Sequence, residues 1–194
     1  MADFSITTAS KPHSAAATIE PGPAAPGAAR SGSASEPCWD LIELFFFAYR
    51  DFVGDPDEVL AKLGFGRAHH RVLHFVNRNP GMKVAELLDV LRITKQSLGR
   101  VLKQLIDNGY VVQKEGANDR RQRLLYVSAA GQALAMKLAR LQTARIDRVL
   151  AELGHGAREE ARRLLAGMID PPHRDRVLRL IARADRARGQ DGWS

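Results

Sequence analysis

The sequence predicts a mainly α-helical protein with one small β-hairpin, and two local patterns support this. Between residues 94 and 108 the apolar side chains Leu98, Val101, Leu102 and Leu105 recur at the spacing of one helix face. Two short runs rich in β-branched and aromatic residues, 110–114 and 124–127, flank a polar, arginine-rich tip, which is typical of a hairpin. Longer helical patterns lie on both sides of this stretch.

Composition and charge limit the classes of protein that the chain could belong to. Its 194 residues are 45% hydrophobic, which suits one compact domain with a tail. The formal net charge of +7 favours an anionic partner, either nucleic acid or a membrane surface. No apolar run approaches the roughly 18 residues of a membrane span, and no secretory signal pattern is seen, so no membrane partner is expected. A single cysteine fits a reducing compartment, and we expect a cytoplasmic protein.

The N-terminal part divides into a tail and a very apolar helix. Residues 1–35 are rich in Ala, Ser, Gly and Pro and are predicted to be disordered, with no function assigned. Ser35 and Pro37 are typical of a helix start, and a helix is predicted over residues 37–53. Apolar residues nearly encircle this helix, which indicates burial against a second subunit as well as its own core. The alternative is a central core helix of a monomer.

Two predicted helices separated by a short turn follow a linker at 54–66 and a helix at 67–76. The first covers residues 83–91, Ile93 fills the turn, and Thr94 caps the second helix at 94–108. The outward faces of this second helix carry side chains that reach phosphates and base edges in a major groove. They are Lys95, Gln96, Ser97, Arg100, Lys103 and Gln104.

Helix, turn, helix and hairpin in this order form a winged helix-turn-helix, which predicts a DNA-binding lobe over residues 65–128. From Thr94 to Arg123 seven basic residues face three acidic ones, whereas acidic residues predominate over 38–62. A basic end and an acidic end suit a molecule that presents one face to DNA. The alternative for the net charge is ordinary solvated charge.

Three further helices follow the hairpin. Ser128 caps a predicted helix over 129–153, Gly154 and Gly156 interrupt it, and a helix over 157–169 is broken by two prolines before one at 174–186. DNA binding does not require so many helices. We therefore assign residues 36–64 and 129–188 to a helical dimerisation region, and 189–194 to a flexible C-terminus.

The order of these elements and several residues resemble the MarR family of bacterial transcription regulators over about residues 38–153. The helix-turn-helix of that family is similar to VAELLDVLRITKQSLGRVLKQLIDNGYV, and its wing is similar to NDRRQRLLYVSAAG. The second segment contains Asp119 and Arg121 of an Asp-x-Arg motif, and Ser128 and Gly131 of a Ser/Thr-x-x-Gly motif. One departure is Arg92, which lies where the turn often has glycine, and two alternatives stay open: a differently shaped turn or mild left-handed strain.

The resemblance implies a homodimeric repressor that reads a palindromic operator and is released by a small ligand. It implies that the second helix, with Thr94, Lys95 and Gln104 beside Gln96, Ser97, Arg100 and Lys103, binds double-stranded DNA in the major groove. The wing, residues 114–123, would enter the minor groove through Arg120, Arg121 and Arg123. Asp119 would hold Arg121 in place. The alternative for the wing is a solvated hairpin tip.

The resemblance also implies a small phenolic or lipophilic effector. Six side chains are candidates for such a pocket: Trp39, Phe45, Phe46, Tyr49, Phe65 and His69. The alternative is plain core, which is more common for aromatic residues at helical spacing. Cys38 lies earlier than the redox-sensing cysteine of one branch of the family, which aligns nearer Phe46.

No arrangement of residues predicts catalysis or a cofactor. His70 and His74 are four residues apart with His69 beside them, but no further ligand completes a metal site, so a local structural role is expected. Nucleotide-binding and nucleophile motifs are not found, so the chain is not expected to be an enzyme. Two alternatives to a sequence-specific regulator stay open. They are a non-specific architectural DNA-binding protein and a winged domain that docks another protein.

Overall fold

The computed structural model describes residues 36–116, 119 and 121–191, and the predicted tail at 1–35 lies outside the described residues. The mainly α fold is confirmed. The helices are α1 Trp39–Ala61, α2 Arg67–Arg78, α3 Val84–Leu91, α4 Lys95–Asp107, α5 Ala129–Leu153, α6 Ala157–Gly167 and α7 Pro171–Asp191. The strands are β1 Met82–Lys83, β2 Val111–Glu115 and β3 Arg123–Val127.

The predicted hairpin is part of a three-stranded antiparallel sheet with the order β1-β3-β2. Strands β2 and β3 pair from Val111 opposite Val127 to Glu115 opposite Arg123. The two-residue β1 pairs with the other edge of β3, with Met82 opposite Leu125. A strand of two residues is too short to show an alternating pattern, so the sequence did not predict it.

The core lies where α2, α3 and α4 meet the sheet and the first half of α5. Leu73, Leu87, Leu105 and Leu125 have no exposed surface, and Leu138 of α5 is equally buried. Each such side chain stabilises the fold by roughly 1.5–3 kcal/mol relative to an exposed one. This core belongs to the winged lobe and is complete within one chain.

Helix α1 is longer than the sequence predicted. The predicted helix stopped at residue 53 and a linker followed, but α1 continues to Ala61 and contains Pro56. A proline inside a helix removes one backbone hydrogen bond and costs about 3 kcal/mol. Val53, Pro56 and Leu60 are nevertheless buried along one face, and that burial offsets the loss.

Helix α7 is separated from α6 as predicted, but it begins earlier, because the break lies at residues 168–170, ahead of the two prolines. Pro171 and Pro172 occupy the first turn, where the missing N–H groups would have no partner in any helix. The N–H groups of His173 and Arg174 donate to the carbonyl of Asp170, which closes that turn. The helix continues to Asp191, into the segment that the sequence predicted as flexible. Residues 192–194 lie outside the described residues.

The start of α5 is fastened to the end of α4 through Ser128 and Gly131. The Ser128 hydroxyl accepts from the Gly131 N–H at 3.0 Å and donates to the Gly109 carbonyl at 2.6 Å. A Cβ on Gly131 would overlap the carbonyl oxygen of Tyr110. The Ser-x-x-Gly pattern is therefore a close contact between the lobe and α5.

Candidate nucleic-acid interface

Helix α4 has one buried face and one exposed polar face, as the sequence predicted. Thr94 is the N-cap, and its hydroxyl oxygen accepts from the Ser97 N–H at 3.1 Å. Leu98, Val101, Leu102 and Leu105 are buried. The exposed side chains include Thr94, Lys95, Gln96, Ser97 and Arg100. Burial of the apolar face fixes the direction in which this polar face points.

Three of the predicted DNA-contacting side chains on α4 already have protein partners, and the first is Ser97, whose hydroxyl accepts from the Thr94 hydroxyl at 2.9 Å. The Lys103 ammonium lies 2.6 Å from the Asp107 carboxylate, one turn further along the helix. The Gln104 side-chain oxygen lies 2.7 Å from Nε2 of His69. Lys103 therefore brings a partly compensated charge to any phosphate, and Gln104 is tied to α2.

The turn between α3 and α4 is held in a left-handed conformation. Arg92 has φ 51 and ψ 47, and among the described residues no other non-glycine residue has a positive φ. Its side chain is exposed, and the neighbouring Leu91 carbonyl accepts from the Arg71 guanidinium at 2.7 Å. Of the two alternatives at Arg92, the structure has the left-handed conformation. Arg92 lies two residues before the Thr94 cap of α4.

The wing is shaped by Asp119. Its carboxylate accepts from the backbone N–H of Arg121 at 2.9 Å, and its carbonyl accepts from the Gln122 N–H at 3.0 Å. The aspartate thus holds the main chain of Arg121 and leaves the exposed guanidinium to project from the tip. Arg123 forms an ion pair with Glu115 across the hairpin at 2.8 Å. Arg120, also predicted to contact DNA, lies outside the described residues.

The six candidate pocket residues fall into two groups. Phe65 and His69 are buried in the lobe and stack with ring centroids 4.6 Å apart. The other four are exposed on α1: Trp39, Phe45, Phe46 and Tyr49. Tyr49 has the Arg67 guanidinium 6.0 Å from its ring centroid. A single chain does not bring the six together.

His69 joins the first group to helix α4, and no sequence pattern predicts this link. Its Nδ1 accepts from the Gly66 N–H at 3.1 Å, so in the neutral ring Nε2 carries the proton and donates to Gln104. The two residues are 35 positions apart. A change at Phe65 or His69 can therefore reach α4 directly.

The other singled-out side chains have ordinary structural surroundings. Burial lowers the pKa of His70, partly opposed by the charge of Asp57. The His74 ring contacts Phe75 edge-on. In the part of the chain that the structure describes, no three His, Cys, Asp or Glu residues are grouped to hold a metal ion. Cys38 is exposed. No described helix is long and apolar enough to cross a membrane.

Comparison with known proteins decides the family. The family model described as MarR family matches residues 63–122, which include the helix-turn-helix and most of the wing. The chain is 44% identical over 133 residues to the HTH-type transcriptional regulator PetP of Rhodobacter capsulatus, covering 69% of this chain and 80% of PetP. The chain belongs to the MarR family. It is a DNA-binding transcriptional regulator.

Solved MarR-type structures share the fold at low sequence identity. FabT of Streptococcus pneumoniae in complex with DNA has a TM-score of 0.60 and 13% identity, covering 67% of this chain and 93% of FabT. NadR in complex with 4-hydroxyphenylacetate has a TM-score of 0.57 and 22% identity, covering 73% of this chain and 99% of NadR. These similarities show the fold of the winged lobe and its helical frame.

Proposed function

We propose that this chain is a homodimeric, sequence-specific repressor that reads a palindromic operator and is released by a small effector. The observation that carries the proposal is the two-sided character of α4. Its apolar side chains are buried, which points Gln96 and Arg100 away from the lobe. A helix held in this way can place base-contacting side chains in a major groove without reorganising.

The wing supplies the second contact. Asp119 accepts from the backbone N–H of Arg121, which holds the main chain from which the exposed Arg121 side chain extends. A narrow, A·T-rich minor groove concentrates negative potential and attracts arginine. Of the described basic wing residues, Arg123 is paired with Glu115 and must share its charge. Arg121 is therefore the described wing residue expected to contribute most.

A second copy of the chain is proposed to cover α1. Leu44 and Phe46 are 63% and 70% exposed, and most of the large side chains between Trp39 and Tyr49 are similarly open to solvent. Exposed apolar patches of this extent mark protein interfaces. Closed oligomers most often have two-fold symmetry, and a two-fold axis suits a palindromic site.

The proposed effector is a small phenolic or lipophilic molecule at the junction of α1 and α2. Tyr49 lies on α1, His69 on α2 and Phe65 in the segment between them, and NadR provides a MarR-type example with a phenolic ligand. Displacing the His69 ring would disturb its hydrogen bond to Gln104. The effector would thereby shift α4 relative to the rest of the lobe.

Selection of random-sequence DNA by the purified full chain tests the proposal. We expect enrichment of a palindrome whose half-sites lie about one helical turn apart, and a linear fall of log affinity with log salt concentration. Arg100→Ala should weaken binding by roughly 1–3 kcal/mol and relax the preferred sequence at one position. Arg162→Ala, on the exposed surface of α6, is the matched control and should leave binding unchanged.

Two outcomes would replace the proposal with its alternatives. Equal affinity for the selected and the random fragments would indicate a non-specific architectural protein. No measurable affinity for any DNA at low salt, with the fold intact, would instead indicate a winged domain that docks another protein.

A further inference from the structure

Helix α7 is fastened to the winged lobe of its own chain. The Arg78 guanidinium of α2 lies 2.6 Å from Asp185, and Arg176 lies 2.9 Å from Asp89 of α3. Ala184 is 4% exposed, and the side chain of Leu180 packs against the core of the lobe. Two ion pairs and an apolar contact therefore hold α7 across α2 and α3.

Between these ion pairs and the apolar contact, α7 and the lobe leave a cleft of about 700 Å³. Phe75, Leu88, Val90 and Val177 contribute apolar walls. Clefts of roughly 300–1,000 Å³ are the size that drug-sized ligands occupy in proteins. The aromatic residues assigned to the proposed effector do not line this cleft, so it is a separate place in the molecule.

The charged side chains around the cleft favour an anion. Four arginines line it, against the acidic Glu86 and Asp89. Both acids are engaged, because Glu86 accepts from the Lys83 N–H at 2.9 Å and Asp89 is paired with Arg176. Within the described part of the chain, Arg92 and Arg179 form no ion pair. An arginine presents a rigid set of donors that matches a carboxylate.

From these observations we infer that the cleft between α7 and α3 binds an amphipathic organic carboxylate. The apolar body lies against Phe75 and Val177, and the carboxylate contacts Arg92 and Arg179. Arg92 is the left-handed residue of the turn between α3 and α4, so the ligand contacts the turn that sets the direction of α4. The consequence for DNA binding rests on the proposed function, whereas the site itself does not.

Calorimetric titration of the full chain with 2-naphthoate tests the site directly. We expect saturable binding, with the neutral isostere 2-naphthamide at least tenfold weaker. The double variant Arg92→Asn/Arg179→Gln should weaken 2-naphthoate at least tenfold and leave 2-naphthamide unchanged. Asparagine is chosen at 92 because it tolerates the left-handed backbone. Arg186→Gln, on α7 but outside the cleft, is the matched control and should bind as the parent chain does.

A second variant tests the position of the ligand by shape. Val177→Trp should fill the cleft and abolish 2-naphthoate binding, while the helical content and the thermal unfolding midpoint stay near those of the parent chain. The inference is overturned if 2-naphthoate does not bind, if it binds the double variant as tightly as the parent, or if 2-naphthamide binds equally well. Because the titration contains no DNA, failure of the operator proposal would leave this result intact.

Discussion

The winged lobe buries its large apolar side chains, whereas the first part of helix α1 exposes them. In the lobe, Leu73, Leu87 and Leu105 have no exposed surface. In α1, Leu44 and Phe46 are mostly exposed although they are as apolar as any core residue. The lobe therefore completes its core within one chain, and the first part of α1 does not. This difference separates the part that buries its own apolar side chains from the part that we propose a second copy covers.

The same contrast explains how one fold can combine a rigidly held helix α4 with surrounding helices that respond to a ligand. The recognition helix is held by a closed core and by the Thr94 cap. Helix α2 of the same lobe adds polar contacts, from His69 to Gln104 of α4 and from Arg71 to the Leu91 carbonyl at the end of α3. A small displacement of α2 would therefore be transmitted to α4.

The largest expected effect comes from opening the core of the lobe. Leu105→Ala removes a fully buried side chain from α4 and should lower the free energy of unfolding by about 2–5 kcal/mol. Val112→Ala, on the exposed side of β2, is the control and should cost less than about 1 kcal/mol. Urea unfolding at one protein concentration measures both. Equal costs would mean that the core of the lobe is not closed.

A charge on the exposed face of α1 should dissociate the proposed dimer while leaving the lobe folded. Phe46→Glu would place two carboxylates in the proposed two-fold interface, because each subunit contributes one. We expect the dissociation constant of the dimer to rise at least about 100-fold, or roughly 2.7 kcal/mol. Sedimentation velocity across a dilution series measures this, with Lys95→Glu in the lobe as a control that keeps the dimer. A parent chain that stays monomeric at every concentration would contradict the assignment.

Two glycine-to-alanine substitutions should have opposite signs. Gly131→Ala would drive a methyl group into the Tyr110 carbonyl and should destabilise the fold by about 1–3 kcal/mol. Gly99→Ala meets nothing within 4 Å and should stabilise α4 by up to about 1 kcal/mol, since alanine is the better helix former. Thermal unfolding of the two variants measures both signs. A stabilising Gly131→Ala would mean that α5 does not press on the lobe at this point.

The smallest expected effect is a loss of stability in mild acid. Burial lowers the pKa of His70 below its ordinary value of 6.5, so the unfolded chain takes up a proton at a higher pH than the folded chain. The stabilising contribution of neutral His70 is complete above 6.5 and declines as the pH falls towards the lowered pKa. The decline cannot exceed about 1.4 kcal/mol per pH unit.

Chemical unfolding of the parent chain and of His70→Gln between about pH 7.5 and pH 5 measures this contribution. The substitution should flatten the pH dependence, and His155→Gln, on an exposed loop, should not. An identical slope in the His70 variant would assign the acid sensitivity to other groups.

Local pattern predicted most of the lobe. The apolar spacing of α4, the cap at Thr94 and the two strands of the wing are set by interactions between near neighbours, and the structure agrees with them within one or two residues. The errors concern the bounds of helices that contain proline. The sequence predicted a linker over 54–66, yet α1 continues through Pro56, which lies on a buried face. The break before α7 was predicted at Pro171 and Pro172, yet it lies just ahead of them, and the two exposed prolines form the first turn of the helix.

The sequence by itself determined which residues form the recognition helix and which of its faces is polar, because both follow from helical periodicity. Only the tertiary structure decided which side chains meet across the chain. Gln104 is tied to His69 from 35 residues away, and Arg78 to Asp185 from 107. Such pairs depend on how whole helices pack, and apolar burial is non-directional, so no local pattern specifies them. The cleft beneath α7 exists for the same reason.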